Sequence, residues 1–217
     1  MSPVGTWLAK FWLRRQVALA VLLGRKRRAI ELMQEVLRLD PGDAGSRNDL
    51  GNLLVEVGEP AAAVEQFVLL VQRWPENAEA WFNLGYIHES RDDLGNAERC
   101  FRRALELNPK IDRAWYGLGL TLIRGGRPAE AVEALKKNIE LQPFSPYGYY
   151  QLGMTYHHLG RRDEALRIEE KLRRFEPKFA ATLKRDIEKT PPGASAGGSH
   201  PPNNIVNANK EAVATPV

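Results

Sequence analysis

The sequence predicts an all-α protein built as a stack of antiparallel helix pairs. Three observations predict it. Leu-Gly recurs at 50–51, 84–85, 118–119 and 152–153, a constant step of 34 residues. Ala29, Ala63, Ala97, Ala131 and Ala165 keep the same step, as do Pro41, Pro75, Pro109, Pro143 and Pro177. Between these marks each unit carries two apolar-periodic runs of helical length, broken near the middle, most often by Gly. A hairpin of that length cannot bury its apolar face alone, so neighbouring units must stack.

Taken in order, residues 1–9 form a leader, and the first unit, 10–43, turns at Gly24 and closes at Pro41. Unit 44–77 turns at Gly58, and unit 78–111 carries Asp92 where its neighbours have Gly. Units 112–145 and 146–179 turn at Gly126 and Gly160. A positive φ at these turns ends the first helix of a unit, and the closing Pro, which lacks an N–H, stops the second. The residue three before Leu-Gly is Trp81, Trp115 or Tyr149, an aromatic to fill the seam between units. Small residues at the Leu-Gly and Ala positions leave room for close approach of the two helices. Residues 180–189 fit a short amphipathic helix that caps the fifth unit. From 190 to 217 the chain is rich in Pro, Gly, Asn and Ala and nearly uncharged, which predicts a disordered tail.

Composition narrows the function classes. Of 217 residues, 43% are apolar and 27% charged, an ordinary globular balance. One cysteine, Cys100, excludes an intrachain disulfide framework and a Cys-based zinc site. The net charge of +4 is an average over unlike segments. Residues 1–28 hold Lys10, Arg14, Arg15, Arg25, Lys26, Arg27 and Arg28 and no acid, whereas 29–159 hold 13 basic and 19 acidic residues. The apolar run Val17–Leu23 is seven residues long, far short of the roughly 20 that span a bilayer. Basic residues follow it where a signal-peptide cleavage site would lie, and the Arg14-Arg15 pair is all it shares with a twin-arginine signal. A cytoplasmic chain is the expectation, with peripheral contact to a membrane as its variant.

The register of Trp81, Leu84, Gly85, Ala97, Phe101, Ala104 and Pro109 in unit 78–111 resembles the tetratricopeptide (TPR) repeat. Five units cover 170 residues, specific in the middle and weaker at the ends, where Gln16-Val17 replaces Leu-Gly and Glu169 and Leu172 replace the aromatic and the second Ala. The resemblance implies a right-handed superhelical solenoid whose first helices line a concave groove. It also implies groove positions, carried over by register: Asn48, Asn52, Phe82, Asn83, Tyr86, Glu89, Arg113, Tyr116, Arg124, Tyr147, Tyr150 and His157. Asn amides can pair with a peptide backbone, aromatics give rigid contact area, and Arg can grip a carboxylate with two hydrogen bonds. A carboxylate clamp of the chaperone-binding kind fits at Asn52, Asn83 and Arg113 and departs at Asn48 and Gly117. An asparagine ladder is partial, running Asp49, Asn83, Gly117, Gln151.

No sequence feature outweighs this reading. Gly193–Gly197 matches G-x-S-x-G, but a nucleophile elbow needs a strand before it and a helix after it, and prolines flank this one. His157 and His158 are adjacent and point about 100° apart on a helix, where a metal pair needs i, i+4 spacing. His88 and Cys100 are expected to pack. The run Arg25–Arg28 is a solvated turn or a contact for an acidic protein or an anionic membrane surface; nucleic acid would want a wider basic stripe with aromatics. Trp7, Phe11 and Trp12 either form an interfacial helix with these charges or cap the first unit. The expectation is a non-catalytic adaptor or scaffold without cofactor or metal, holding a peptide or helix of a partner protein, within a larger assembly. The alternatives are a scaffold recruited through its basic head (Arg14, Arg15, Arg25, Lys26, Arg27, Arg28) and an enzyme regulator.

Overall fold

The computed structural model describes residues 3–191. The described residues hold eleven helices and no strand: α1 (Pro3–Leu22), α2 (Lys26–Leu39), α3 (Ala44–Glu56), α4 (Pro60–Arg73), α5 (Ala78–Ser90), α6 (Leu94–Leu107), α7 (Asp112–Arg124), α8 (Pro128–Leu141), α9 (Pro146–His158), α10 (Arg162–Arg173) and α11 (Pro177–Lys189). The chain divides into two compact units, Met1–Thr121 and Leu122–Val217, with the boundary inside α7. Within the first, α1 packs on α2, α2 on α3, α3 on α4, α4 on α5 and α5 on α6. Within the second, α8 packs on α9, α9 on α10, and α11 on both α9 and α10.

The 34-residue marks act as follows. Gly24, Gly58, Gly126 and Gly160 have φ between 67° and 81°, and Asp92 takes the same left-handed conformation at 63°. Asp is one of the few side chains that tolerates it, which explains the one unit that turns without Gly. The aromatic slot ties each first helix to the preceding turn: Trp81 and Trp115 Nε1 donate to the carbonyls of Pro75 and Pro109 at 2.9 Å, and the Tyr149 hydroxyl donates to Pro143 at 3.2 Å. The Leu-Gly glycine makes room for a side chain rather than for a bare backbone. A Cβ at Gly51 would stand 2.6 Å from the Phe67 ring, and one at Gly85 2.9 Å from the Phe101 ring. Both rings are almost wholly buried.

Two ends differ from the sequence boundaries. Helix α1 begins at Pro3, so most of the stretch read as a leader is the start of the first helix. Helix α11 begins at Pro177, three residues early, because Pro at the first helical position lacks only an N–H that would go unpaired there. The tail, from residue 192, and its G-x-S-x-G stretch lie outside the described residues.

Candidate protein-binding surface

In the unit Met1–Thr121 the predicted groove positions stand on α3, α5 and the first turns of α7. Asn48 and Asn52 lie one turn apart on α3, and Phe82, Tyr86 and Glu89 share one face of α5 by their i, i+4, i+7 spacing. Neighbouring helices are linked through these side chains. The Asn83 amide donates to Asn48 Oδ1 at 3.2 Å, and the Arg113 guanidinium lies 3.5 Å from Glu79. Arg113 also covers the Phe82 ring, 4.8 Å from its centroid. Phe82 itself is buried, 4% exposed, against Phe101, so it supports this surface rather than forming it. An aromatic at that position of an amphipathic helix cannot be told from a surface aromatic by spacing alone.

Two titratable groups there are shifted by their surroundings. Burial pushes the Tyr86 phenol above its ordinary value, and the charge of Glu89 adds to the shift. Burial also raises the Asp49 carboxyl, against the Asn48 amide and Arg14. Asn48, Asn83, Tyr86, Glu89, Arg113 and Tyr116 are each half-buried, and Asn52 is exposed.

In the second unit the predicted positions fare differently. Arg124 is exposed, and Tyr147 is half-buried with its ring edge-on to Phe179 at 5.5 Å. Tyr150 and His157, expected to face a groove, are buried beneath α11. The Tyr150 hydroxyl donates to Asp186 Oδ2 at 2.7 Å. His157 Nε2 lies 2.7 Å from the Thr190 carbonyl, which only accepts, so Nε2 carries the hydrogen. Its Nδ1 is buried without a partner. Between these contacts Leu183 fills the space left at Gly153, where a Cβ would stand 2.7 Å from it. The last helix therefore covers the face of α9 that the register assigned to a ligand.

The residues 65–176, a little over half of the chain, match the family described as the Cilia and flagella-associated protein 70 middle TPR-like domain. The chain belongs to this TPR-like family. The crystal structure of MamA protein superposes with a TM-score of 0.72 at 28% identity, over 80% of this chain and 94% of that one. YrrB, described as a TPR protein with an unusual peptide-binding site, gives a TM-score of 0.67 at 24% identity, over 78% of this chain and 88% of that one. Tetratricopeptide repeat protein 33 of Xenopus laevis is 34% identical over 86 residues, 40% of this chain and 33% of that protein. Protein O-mannosyl-transferase TMTC3 of Homo sapiens is 30% identical over 87 residues, 40% of this chain and 10% of that protein. The chain thus spans a third or less of these two relatives. TPR proteins serve as protein-interaction scaffolds, and the TPR fold supports that general role here.

The basic head is spent largely within this TPR array. Lys10 pairs with Asp40, Arg14 with Asp43 and Arg27 with Glu59, while Lys26 lies 2.8 Å from Glu56 and Arg28 2.8 Å from Glu31. Most of these partners are exposed, and such pairs contribute about 0–1 kcal/mol each. Asp43 does more: burial raises its carboxyl, but the Ser46 N–H, Arg14 and the Ser46 hydroxyl outweigh this and hold it below the usual range. It caps α3, accepting from Ser46 N at 3.1 Å. Sequence reasoning missed the Lys10, Arg14, Lys26 and Arg27 pairs because their carboxylates lie about 30 residues away, although the 34-residue step would have brought them to the adjoining turn. Cys100 is buried and its thiol is pushed up to about 11, which makes it a packing residue. His88 is half-buried, its Nδ1 2.9 Å from Asp93 Oδ2. Among the described residues no three His, Cys, Asp or Glu side chains gather as a metal site would require.

Proposed function

We propose that this chain is a non-catalytic adaptor that holds an extended peptide or a helix of a partner protein. The partner lies across the faces of α3, α5 and the start of α7. The observation that carries the reading is the half-buried row Asn48, Asn83, Tyr86, Arg113 and Tyr116, whose members on neighbouring helices are tied by Asn83–Asn48 and Arg113–Glu79. Such a row offers amides for a peptide backbone, phenols for apolar and polar contact together, and a guanidinium for a carboxylate. The description of YrrB as a peptide-binding TPR protein agrees with this use of the fold. Positions on α9 drop out of the reading because α11 covers them.

The test is capture of partners from a lysate by the wild type and by a variant with Tyr86, Arg113 and Tyr116 changed to Ala, followed by titration of the captured partner. The expected result is a loss of about tenfold or more in affinity, since truncated aromatic and Arg anchors of an interface commonly cost at least 1.4 kcal/mol. Equal affinity for a genuine partner would remove the row from the binding surface.

A further inference from the structure

Helix α1 is apolar on two opposite faces. One stripe, Ala9, Leu13, Val17 and Ala20, turns toward the body of its unit, with Leu13 and Val17 packed on its core and Ala20 buried there. The other carries Trp7, Leu8, Phe11, Trp12, Leu19 and Leu22, all large and all exposed, with Trp7 at 64% and Leu22 at 81%. A helix apolar on two faces has one face that the body of its unit does not cover, and a contiguous exposed patch of this kind marks a contact surface.

The charges near this stripe decide what covers it. Arg15 stands at its centre, with Phe11 and Leu19 four residues to either side and Leu8 and Leu22 seven. Its guanidinium lies over the Phe11 ring, 5.2 Å from the centroid, and it has no carboxylate partner among the described residues. Nor is there an acidic residue anywhere in 1–28. A second copy seated face to face would set Arg15 and the basic segment against themselves, and a buried guanidinium without a carboxylate is strongly unfavourable. A bilayer surface satisfies every group at once. Phe11, Leu19 and Leu22 enter the acyl boundary, Trp7 and Trp12 sit at headgroup depth, and Arg15 reaches a lipid phosphate with its stem along the apolar face. Among the described residues no helix is long and apolar enough to cross a membrane, so the contact is one of lying on it.

We propose that α1 docks this chain on an anionic membrane surface through its outward Trp/Phe/Leu face, with Arg15 gripping lipid phosphate. Four of the seven cations in 1–28 are already held by carboxylates 29 or more residues away, so the apolar face supplies most of the affinity and Arg15 and Arg25 the preference for anionic lipid. The proposal does not rest on the peptide-binding row, which uses other helices.

The experiment is flotation of the full chain with vesicles of phosphatidylcholine alone and of phosphatidylcholine mixed with phosphatidylglycerol. Wild type is expected to float with the mixed vesicles and much less with the neutral ones. Phe11→Glu combined with Leu22→Glu should weaken that binding by about a hundredfold, given the burial each side chain loses. Far-UV circular dichroism should stay unchanged, because both side chains are exposed. Arg15→Ala should reduce the preference for the anionic vesicles, and the Tyr86/Arg113/Tyr116 variant should float as wild type does. Wild type remaining unbound with mixed vesicles, or the double Glu variant floating normally, would overturn the proposal. So would a dimer in light scattering that the double Glu variant dissolves, since the second copy would then be the occupant.

Discussion

The first and last described helices meet the same physical problem and solve it differently. Each packs one face on a neighbouring helix pair and turns the other outward. On α11 the inward face is Ala180, Leu183 and Ile187, all almost fully buried, and Lys184, Arg185 and Glu188 stand outside. On α1 the inward face is slighter, and the outward one is a row of Trp, Phe and Leu. A terminal repeat needs a polar outer face to stay monomeric and free in water. The outer face of α11 is polar, and that of α1 is not. The contrast teaches that α11 is a lid over its own array, while α1 is a surface kept for something else.

The largest expected effect lies at the lid. Leu183 is fully buried against Gly153. Leu183→Ala should lower stability to denaturant by about 2–5 kcal/mol, as large-to-small changes in a core do. It should also loosen the Tyr150–Asp186 and His157–Thr190 contacts. A loss below about 1 kcal/mol would mean that α11 is only loosely attached.

A smaller effect is expected behind α1. Asp43→Ala removes the cap of α3 and the partner of Arg14, a loss of about 1 kcal/mol. Its carboxyl is held below the ordinary value of 3.8, as is that of Asp40, where the Lys10 hydrogen bond is the main cause. A lowered folded value stabilises fully above 3.8, and that contribution fades as pH falls below it. Wild type should therefore lose stability more steeply below pH 4 than Asp43→Ala. Parallel acid-unfolding curves would contradict the pairing.

The fold was legible because the 34-residue register names the function of each mark: turn, seam, close approach and stop. Even Asp92, which breaks the Gly pattern, keeps the conformation that the pattern demands. The candidate surface was legible only in part. Register gives the face of a helix but not its cover. Phe82 was displaced into the core by Phe101 on the next helix, and Tyr150 and His157 were covered by a helix whose docking site no local pattern specifies. The outward apolar face of α1 was visible as Trp7, Phe11 and Trp12 in the sequence. That the rest of the described residues leave it uncovered is a tertiary fact.

Hydrogen exchange on the full chain, with and without phosphatidylglycerol-containing vesicles, tests the contrast between the two ends most directly. Without vesicles, α11 and the end of α9 should exchange slowly and α1 fast, since α1 buries little. With vesicles, protection should rise in α1 and stay unchanged in α9–α11. Slow exchange in α1 without vesicles, or protection gained at α11 instead, would contradict the account.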